Sequence, residues 1–68
     1  MLSFQWMELG LLGAEIAELQ DRRHLAEMTG RLSEAQQAQT ELSQAEERRE
    51  ELVASMMKTI IDNAAAAA

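Results

Sequence analysis

The chain has 68 residues, no cysteine and no proline, and its net charge of −6 comes from twelve acidic and six basic side chains. A domain this short buries only about 60% of its unfolded surface, and no disulfide or thiolate metal site supports it, so its own core is marginal. The acidic balance argues against non-specific binding to nucleic acid or to an anionic membrane surface, since both require Lys and Arg. The abundance of Ala, Leu, Glu and Gln predicts an all-α protein.

The N-terminal segment is apolar, but it matches neither a signal peptide nor a membrane span. It lacks a basic beginning and a small-residue cleavage site, so secretion by a normal signal peptide is not expected. Glu8, Glu15 and Glu18 interrupt the stretch that is long enough to cross a bilayer. We therefore predict no transmembrane segment, and a location in the cytoplasm or within a macromolecular assembly.

A first helix is predicted over about residues 3–28. Leu9, Leu12, Ile16 and Leu19 are spaced three, four and three residues apart, which places them on one helix face. In the same segment, "LGLLGAEIA" sets Gly10 four residues before Ala14, and Gly13 four before Ala17. Small residues at this spacing let a second backbone come close, so we expect a close helix contact in a soluble assembly.

A turn is predicted at residues 29–32, in the segment "EMTGRLSEAQ". Gly30 suits the left-handed position that ends a helix. Ser33 followed by Gln36 matches the capping box that begins a helix. A four-residue connection is usual between antiparallel helices.

A second helix is predicted over about residues 33–62, and its apolar stripe is offset from the first. When the first stripe is continued through Gly30 it meets mainly small and polar residues, and the second stripe lies two residues, or about 200°, away. Folding the chain at the turn places residue i opposite residue 61 − i, so that the stripes face each other. The predicted seam between the helices consists of Leu9, Leu12, Ile16, Leu19, Leu42, Ala45, Arg49 and Leu52.

The predicted fold is thus an antiparallel two-helix hairpin, coiled-coil-like, in a single unit of residues 1–63 that belongs to a larger helical assembly. The five alanines at 64–68 are a tail of unknown origin and are left outside the unit. An alternative remains open: a short N-terminal helix, a break near residues 20–23, and one long helix over about 21–62. Leu25, Met28 and Leu32 extend the second stripe backwards across Gly30, and a glycine inside a helix costs only about 1 kcal/mol.

Arg49 is the charged member of the seam, and a seam arginine is costly unless it is paired. Glu8 and Glu15 lie about one turn from the position opposite Arg49, so they are its predicted partners. A polar residue at such a position often sets helix register or partner choice.

The two ends of the hairpin differ in the sequence: the turn end is predicted to be polar, and the open end carries more apolar side chains than one seam uses. Exposed apolar patches of this kind usually mark an interaction surface. The predicted protein interface consists of Leu2, Phe4, Trp6, Met7, Leu11, Val53, Met56, Met57, Ile60 and Ile61.

Catalytic and cofactor motifs are not found. His24 and Glu27 share a helix face, but a carboxylate-bridged bundle site needs the order Glu-x-x-His and further carboxylates from facing helices. One histidine without a cysteine does not provide a nucleophile, a base and an orienting acid. We therefore predict no enzyme activity, no metal and no cofactor.

Two functions remain as expectations. The first is a non-enzymatic structural or assembly subunit, which self-associates or packs through apolar helix faces into a multi-subunit complex such as a virion or a secretion apparatus. The second is a small acidic adaptor or co-chaperone that binds one protein partner. Both predict a protein partner and no nucleic acid, and the stoichiometry of binding would separate them.

Overall fold

The computed structural model describes residues 2–67, and the side chains of residues 3–67. Helix α1 covers Leu2–Met28 and helix α2 covers Leu32–Ala67. The described chain measures 57 × 15 × 12 Å, whereas one continuous helix of that length would extend about 100 Å. The predicted hairpin is confirmed. The alternative with a break near residues 20–23 is wrong, because α1 continues without interruption to Met28.

The turn is built as a Schellman motif around Gly30. This glycine has a φ of 72°, the left-handed conformation predicted for it. The Arg31 N–H donates to the Ala26 carbonyl at 2.8 Å, and the Gly30 N–H donates to the Glu27 carbonyl at 3.3 Å, which are the two bonds of that motif. They satisfy carbonyls that the end of α1 would otherwise leave without partners. The motif forms although Arg31, at the position that usually carries an apolar residue, is charged.

The predicted capping box at Ser33 is wrong. The first backbone bond of α2 runs from the Ala35 N–H to the Arg31 carbonyl at 3.0 Å, so Arg31 takes the capping position and Ser33 lies inside the first turn. The Schellman motif explains the difference, because it directs the chain into α2 directly after Gly30. The acidic Glu34 in that first turn suits the positive end of the helix dipole and lies 3.6 Å from Arg31.

The interface between the helices has the register expected from the sequence. Ile16, Leu19, Leu42 and Ala45 form one buried cluster, and Ala45 is fully buried. Polar contacts across the helices, such as Gln5 to Ser55 and Arg23 to Gln39, fall within two residues of the 61 − i pairing. Among the side chains that the structure describes, nine apolar ones are buried: Leu12, Ile16, Leu19, Ala26, Ala35, Ala38, Leu42, Ala45 and Met56.

Four of these nine buried residues are alanines, three of them on α2. Small side chains let two helices approach closely, but each contributes little apolar area, at about 25 cal/mol per Å² buried. The described chain also contains no large side chain that is completely buried. The hairpin core is therefore narrow, as the chain length suggested.

Two arginines, Arg49 of the predicted seam and Arg23 of α1, are half-buried at the interface between the helices. Arg49 is half-buried, and no carboxylate of the described chain lies within ion-pair distance of it. The prediction that Glu15 pairs with Arg49 is wrong: Glu15 lies 3.6 Å from Arg48, on the flank of the interface, because Arg48 is the one oriented toward α1 there. Arg23 is also half-buried and donates to the Gln39 side-chain carbonyl at 2.6 Å.

Helix α2 is longer than α1, and its end has no helical partner within the hairpin. In the 61 − i register, the first residue of α1 is level with Thr59, so residues 60–67 continue about 12 Å past the end of α1. The alanines through Ala67 belong to this helix, which therefore continues beyond the predicted limit near residue 62.

Candidate protein-binding surface

The outward side of α1 near the open end carries a row of large apolar residues. Phe4, Met7 and Leu11 are spaced three and four residues apart, which places them together on the face opposite the seam. Their exposed fractions are 74%, 62% and 66%. Helix α1 thus has two apolar faces in its first half, of which α2 covers only one.

A second apolar feature is a groove between the helices at the same end. It has a volume of about 90 Å³, and its lining is entirely apolar: Trp6, Leu9, Val53, Met56, Met57 and Ile60. Trp6 exposes 59% of its surface at the groove edge, and Val53, Met57 and Ile60 form an exposed row on the same flank of α2. Ser3 and Gly10 lie between Trp6 and Met7 around α1, so the groove and the outward row are two apolar features of the open end, and together we call them the apolar surface of the open end.

The residues predicted for the interface do not all lie on this surface. Met56 is buried, so it belongs to the seam and forms the floor of the groove. Ile61 is exposed but lies on the outer face of α2, two residues beyond the seam position Thr59. The Leu2 side chain lies outside the described part of the chain. The other seven residues surround the groove or lie on the outward row of α1.

The packing of α1 against α2 does not require glycine at positions 10 and 13. A Cβ atom added at Gly10 or Gly13 would meet nothing within 4 Å, so neither glycine is needed for the contact between α1 and α2. A glycine inside a helix is nevertheless unfavourable compared with alanine. Gly10 and the neighbouring Ala14 and Ala17 are exposed beside the Phe4–Leu11 row.

The opposite flank of the hairpin is polar. Arg48 lies 3.6 Å from Glu15, and Arg22 lies 3.6 Å from Glu41 and from Glu18, along a groove of about 350 Å³. These side chains are exposed, so each pair contributes less than about 1 kcal/mol. The polar flank marks the boundary of the apolar surface.

The turn end is not uniformly polar, contrary to the prediction. Leu25, Met28 and Leu32 are large apolar residues there, and all three are mostly exposed. Their three- and four-residue spacing does not continue one helix, because α1 ends at Met28 and α2 begins at Leu32. Unlike the groove at the open end, the grooves beside Leu25 and Leu32 are lined in part by charged side chains, among them Arg31 and Glu34 in one and Arg23 and Glu27 in the other.

No group of side chains placed to hold a metal ion is found among residues 2–67. His24 is exposed, and this part of the chain contains no group of three or more His, Asp or Glu side chains placed to hold a metal ion. Within the same residues, neither helix has the length and apolarity that crossing a membrane requires.

The comparisons with known proteins add no assignment. No protein-family model matches the chain, and neither the curated proteins nor the solved structures contain a significant match.

Proposed function

We propose that the protein is a non-enzymatic assembly subunit, which packs through the apolar surface at its open end into a larger protein complex. The observation that carries the proposal is the presence of two apolar features at that end: the exposed Phe4, Met7 and Leu11 row and the apolar groove edged by Trp6. Large apolar side chains exposed together at one end of a small protein usually mark an interaction site.

The narrow core supports the same proposal. A chain of this size has little apolar burial of its own, and here nearly half of the buried residues are alanines. Contact with neighbouring molecules at the open end would add the burial that the hairpin lacks. Trp and Met are well suited to such a contact, since Trp is a frequent interface anchor and Met adapts to irregular surfaces.

The proposal is tested by the solution mass of the isolated chain, measured by light scattering on a sizing column, with circular dichroism on the same sample. A discrete helical oligomer supports it. A poorly helical monomer that becomes helical only with a protein partner also supports it, and the stoichiometry then separates a multi-copy complex from one-to-one binding. A stable, fully helical monomer at high concentration contradicts the proposal.

A matched pair of substitutions locates the surface. Met57→Ser changes an exposed methionine at the open end, and Met28→Ser makes the same change at the turn end. We expect Met57→Ser to raise the dissociation constant of the complex at least tenfold and Met28→Ser to leave that constant unchanged. If Met28→Ser weakens association more than Met57→Ser does, the turn end is the interface and the assignment to the open end is wrong.

A further inference from the structure

We infer that α2 binds the α2 helix of a second copy of this chain, in antiparallel orientation, through a row of apolar residues on the groove side of α2. This inference rests on the proposed function and makes it specific, by naming the partner, the helix and the register of the contact. It follows from the spacing of the row, from the positions of the charges around it, from the uncovered end of α2 and from the exposed area.

A further apolar row runs along α2 beside the seam, and we call it the flanking stripe. Its members are spaced four, three and four residues apart, as in a helix seam: Val53, Met57, Ile60 and Ala64. Val53, Met57 and Ile60 each follow a seam position by one residue, so the stripe is rotated by about 100° from the face that contacts α1. The same three residues line the apolar groove that Trp6 edges, and all three are partly exposed. Helix α1 therefore leaves the flanking stripe without a helical partner.

The flanking stripe is free of charge between residues 53 and 64. The positions that would face or flank a partner helix there are all uncharged: Val53, Ala54, Met56, Met57, Ile60, Ile61, Asn63 and Ala64. The two charged residues of this segment, Lys58 and Asp62, lie on the far side of α2, more than about 100° around the helix from the stripe. A chain with a net charge of −6 can therefore associate here without burying a charge, which would be costly.

The antiparallel orientation follows from the acidic residues that continue the stripe toward the turn. Glu46 and Glu50 occupy the next two positions at the same spacing. In a parallel pair, Glu50 would face Glu50 of the second copy, and like charges that meet at an interface repel each other. In an antiparallel pair, the acidic segments of the two copies lie at opposite ends of the contact.

The register follows from the pairing rule of the hairpin itself. In the buried cluster of the hairpin, a residue that begins a three-residue step faces one that ends such a step. Applied to the flanking stripe, this rule places residue i level with residue 117 − i of the second copy, so that Met57 faces Ile60 and Val53 faces Ala64. A shift of seven residues in one direction brings Glu50 against Ile60. The opposite shift brings no residue of the described helix against Val53.

The contact also covers the end of α2 that has no helical partner within the hairpin. Residues 60–67 continue about 12 Å past the end of α1. In the 117 − i register they lie level with residues 50–57 of the second copy, so each uncovered end gains a neighbouring helix. The Phe4, Met7 and Leu11 row of α1 is not part of this contact and stays exposed for other subunits of a complex.

The exposed area is that of a small, reversible dimer. Trp6, Val53, Met57, Ile60 and Ile61 expose between 41% and 60% of their surfaces. With on the order of 150–200 Å² for a large side chain, they offer on the order of 400–500 Å² per copy. The pair would thus bury on the order of 1,000 Å², which is the size at which specific interfaces begin. We therefore expect the dimer to dissociate on dilution.

Disulfide crosslinking tests the register, because the chain has no cysteine. Val53→Cys and Ala64→Cys are prepared as separate 68-residue chains, mixed, equilibrated and oxidised, and we expect a crosslinked dimer with one chain of each kind. Neither variant alone should crosslink, because identical positions lie about 17 Å apart along the helices, and a disulfide requires Cα atoms within about 7 Å. Ala65→Cys is the matched control: it lies about 100° around α2 from Ala64 and should not crosslink with Val53→Cys.

A charge in the flanking stripe tests the same contact without a crosslink. Met57→Asp places a charge within the contact, whereas Met7→Asp makes the same change in the α1 row, which the contact leaves exposed. Both methionines are mostly exposed in the hairpin, so neither change removes a buried contact between α1 and α2. By sedimentation equilibrium, we expect the dimer dissociation constant to rise at least tenfold in Met57→Asp and to change by less than about twofold in Met7→Asp.

The tryptophan reports the contact directly, because the chain contains only one. Trp6 exposes 59% of its surface at the edge of the groove, and the α2 helix of the second copy would cover it. We expect its emission maximum to move to shorter wavelengths as the chain concentration rises, and Met57→Asp to abolish this change. An oligomer in which the emission of Trp6 stays constant has its contact elsewhere and overturns the inference.

The outcomes separate this inference from the proposed function. An oligomer that crosslinks through Val53→Cys alone or Ala64→Cys alone has parallel α2 helices, and it overturns the antiparallel dimer while leaving the proposed function in place. An oligomer without the mixed crosslink, or one that Met7→Asp dissociates and Met57→Asp does not, has the same meaning. A poorly helical monomer that becomes helical with a different protein overturns the second copy alone, and a stable helical monomer overturns both.

Discussion

Replacing Gly30 provides the sharpest test of the fold, because the hairpin and a continuous helix predict opposite results. In the hairpin, Gly30 has a φ of 72°, and a Cβ added there would meet nothing within 4 Å. The cost of L-alanine is therefore the backbone strain alone, about 1–2 kcal/mol for a left-handed residue. The stiffer unfolded chain offsets about 0.4–1 kcal/mol of that cost. We expect Gly30→Ala to lower the free energy of unfolding by about 1 kcal/mol.

The matched control for this change is D-alanine at the same position, introduced by total chemical synthesis of the chain. D-alanine prefers positive φ, so it should raise the free energy of unfolding by a few tenths to about 1 kcal/mol. Within a continuous helix the signs reverse, since L-alanine would stabilise by about 1 kcal/mol relative to glycine.

Thermal unfolding followed by circular dichroism at one fixed chain concentration measures both changes. A change of about 1 kcal/mol corresponds to about 4–8 °C in Tm for a domain of this size. A chain in which Gly30→Ala raises Tm and D-alanine lowers it would refute the turn at Gly30.

Three further predictions concern the seam and its flank. Leu42→Ala should lower the free energy of unfolding by about 2–5 kcal/mol, enough to unfold so narrow a core, as checked by circular dichroism of the variant. Ala45→Leu, which overfills the fully buried contact of the core, should cost about 1–3 kcal/mol in urea unfolding, whereas exposed Ala54→Leu should change stability by less than about 0.5 kcal/mol. Arg48→Gln breaks the exposed pair with Glu15 and should cost less than about 1 kcal/mol, with the difference from the natural chain shrinking as salt is added. If Arg48→Gln lowers the free energy of unfolding by several kcal/mol, or if Leu42→Ala leaves it unchanged, this division between core and flank is contradicted.

The fold could be predicted from the sequence because two independent signals agree on it. The apolar stripes of the two halves are out of phase by two residues, and Gly30 stands where they change. The Ile16, Leu19, Leu42 and Ala45 cluster shows that the 61 − i register follows from matching those stripes alone. A short loop between long helices leaves little freedom for any other register.

The turn chemistry and the ion pairs were harder to predict. The capping box at Ser33 matched its motif, but the hydrogen bonds of the Schellman turn fix the path of the backbone and make Arg31 the capping residue. The choice between Arg48 and Arg49 as the partner of Glu15 depends on a rotation of about 100° around α2, which the spacing of apolar residues does not resolve.

The candidate surface was predicted in its composition but not in its shape. The apolar residues of the open end can be grouped from the sequence, but their spacing alone does not separate the row on α1 from the groove beside Trp6. The signal for the row was present, since Phe4, Met7 and Leu11 repeat the spacing of the seam. Showing that this row has no partner within the hairpin required the exposure of each side chain.

Assembly at the open end is the central claim, and the dependence of thermal unfolding on chain concentration tests it most directly. When folding is coupled to association, Tm rises with concentration by mass action. We predict that Tm and helicity both increase over a hundredfold range of concentration, and that Met57→Ser flattens the increase while Met28→Ser does not. A Tm that stays constant over that range, in a chain that is helical and monomeric throughout, would contradict the account.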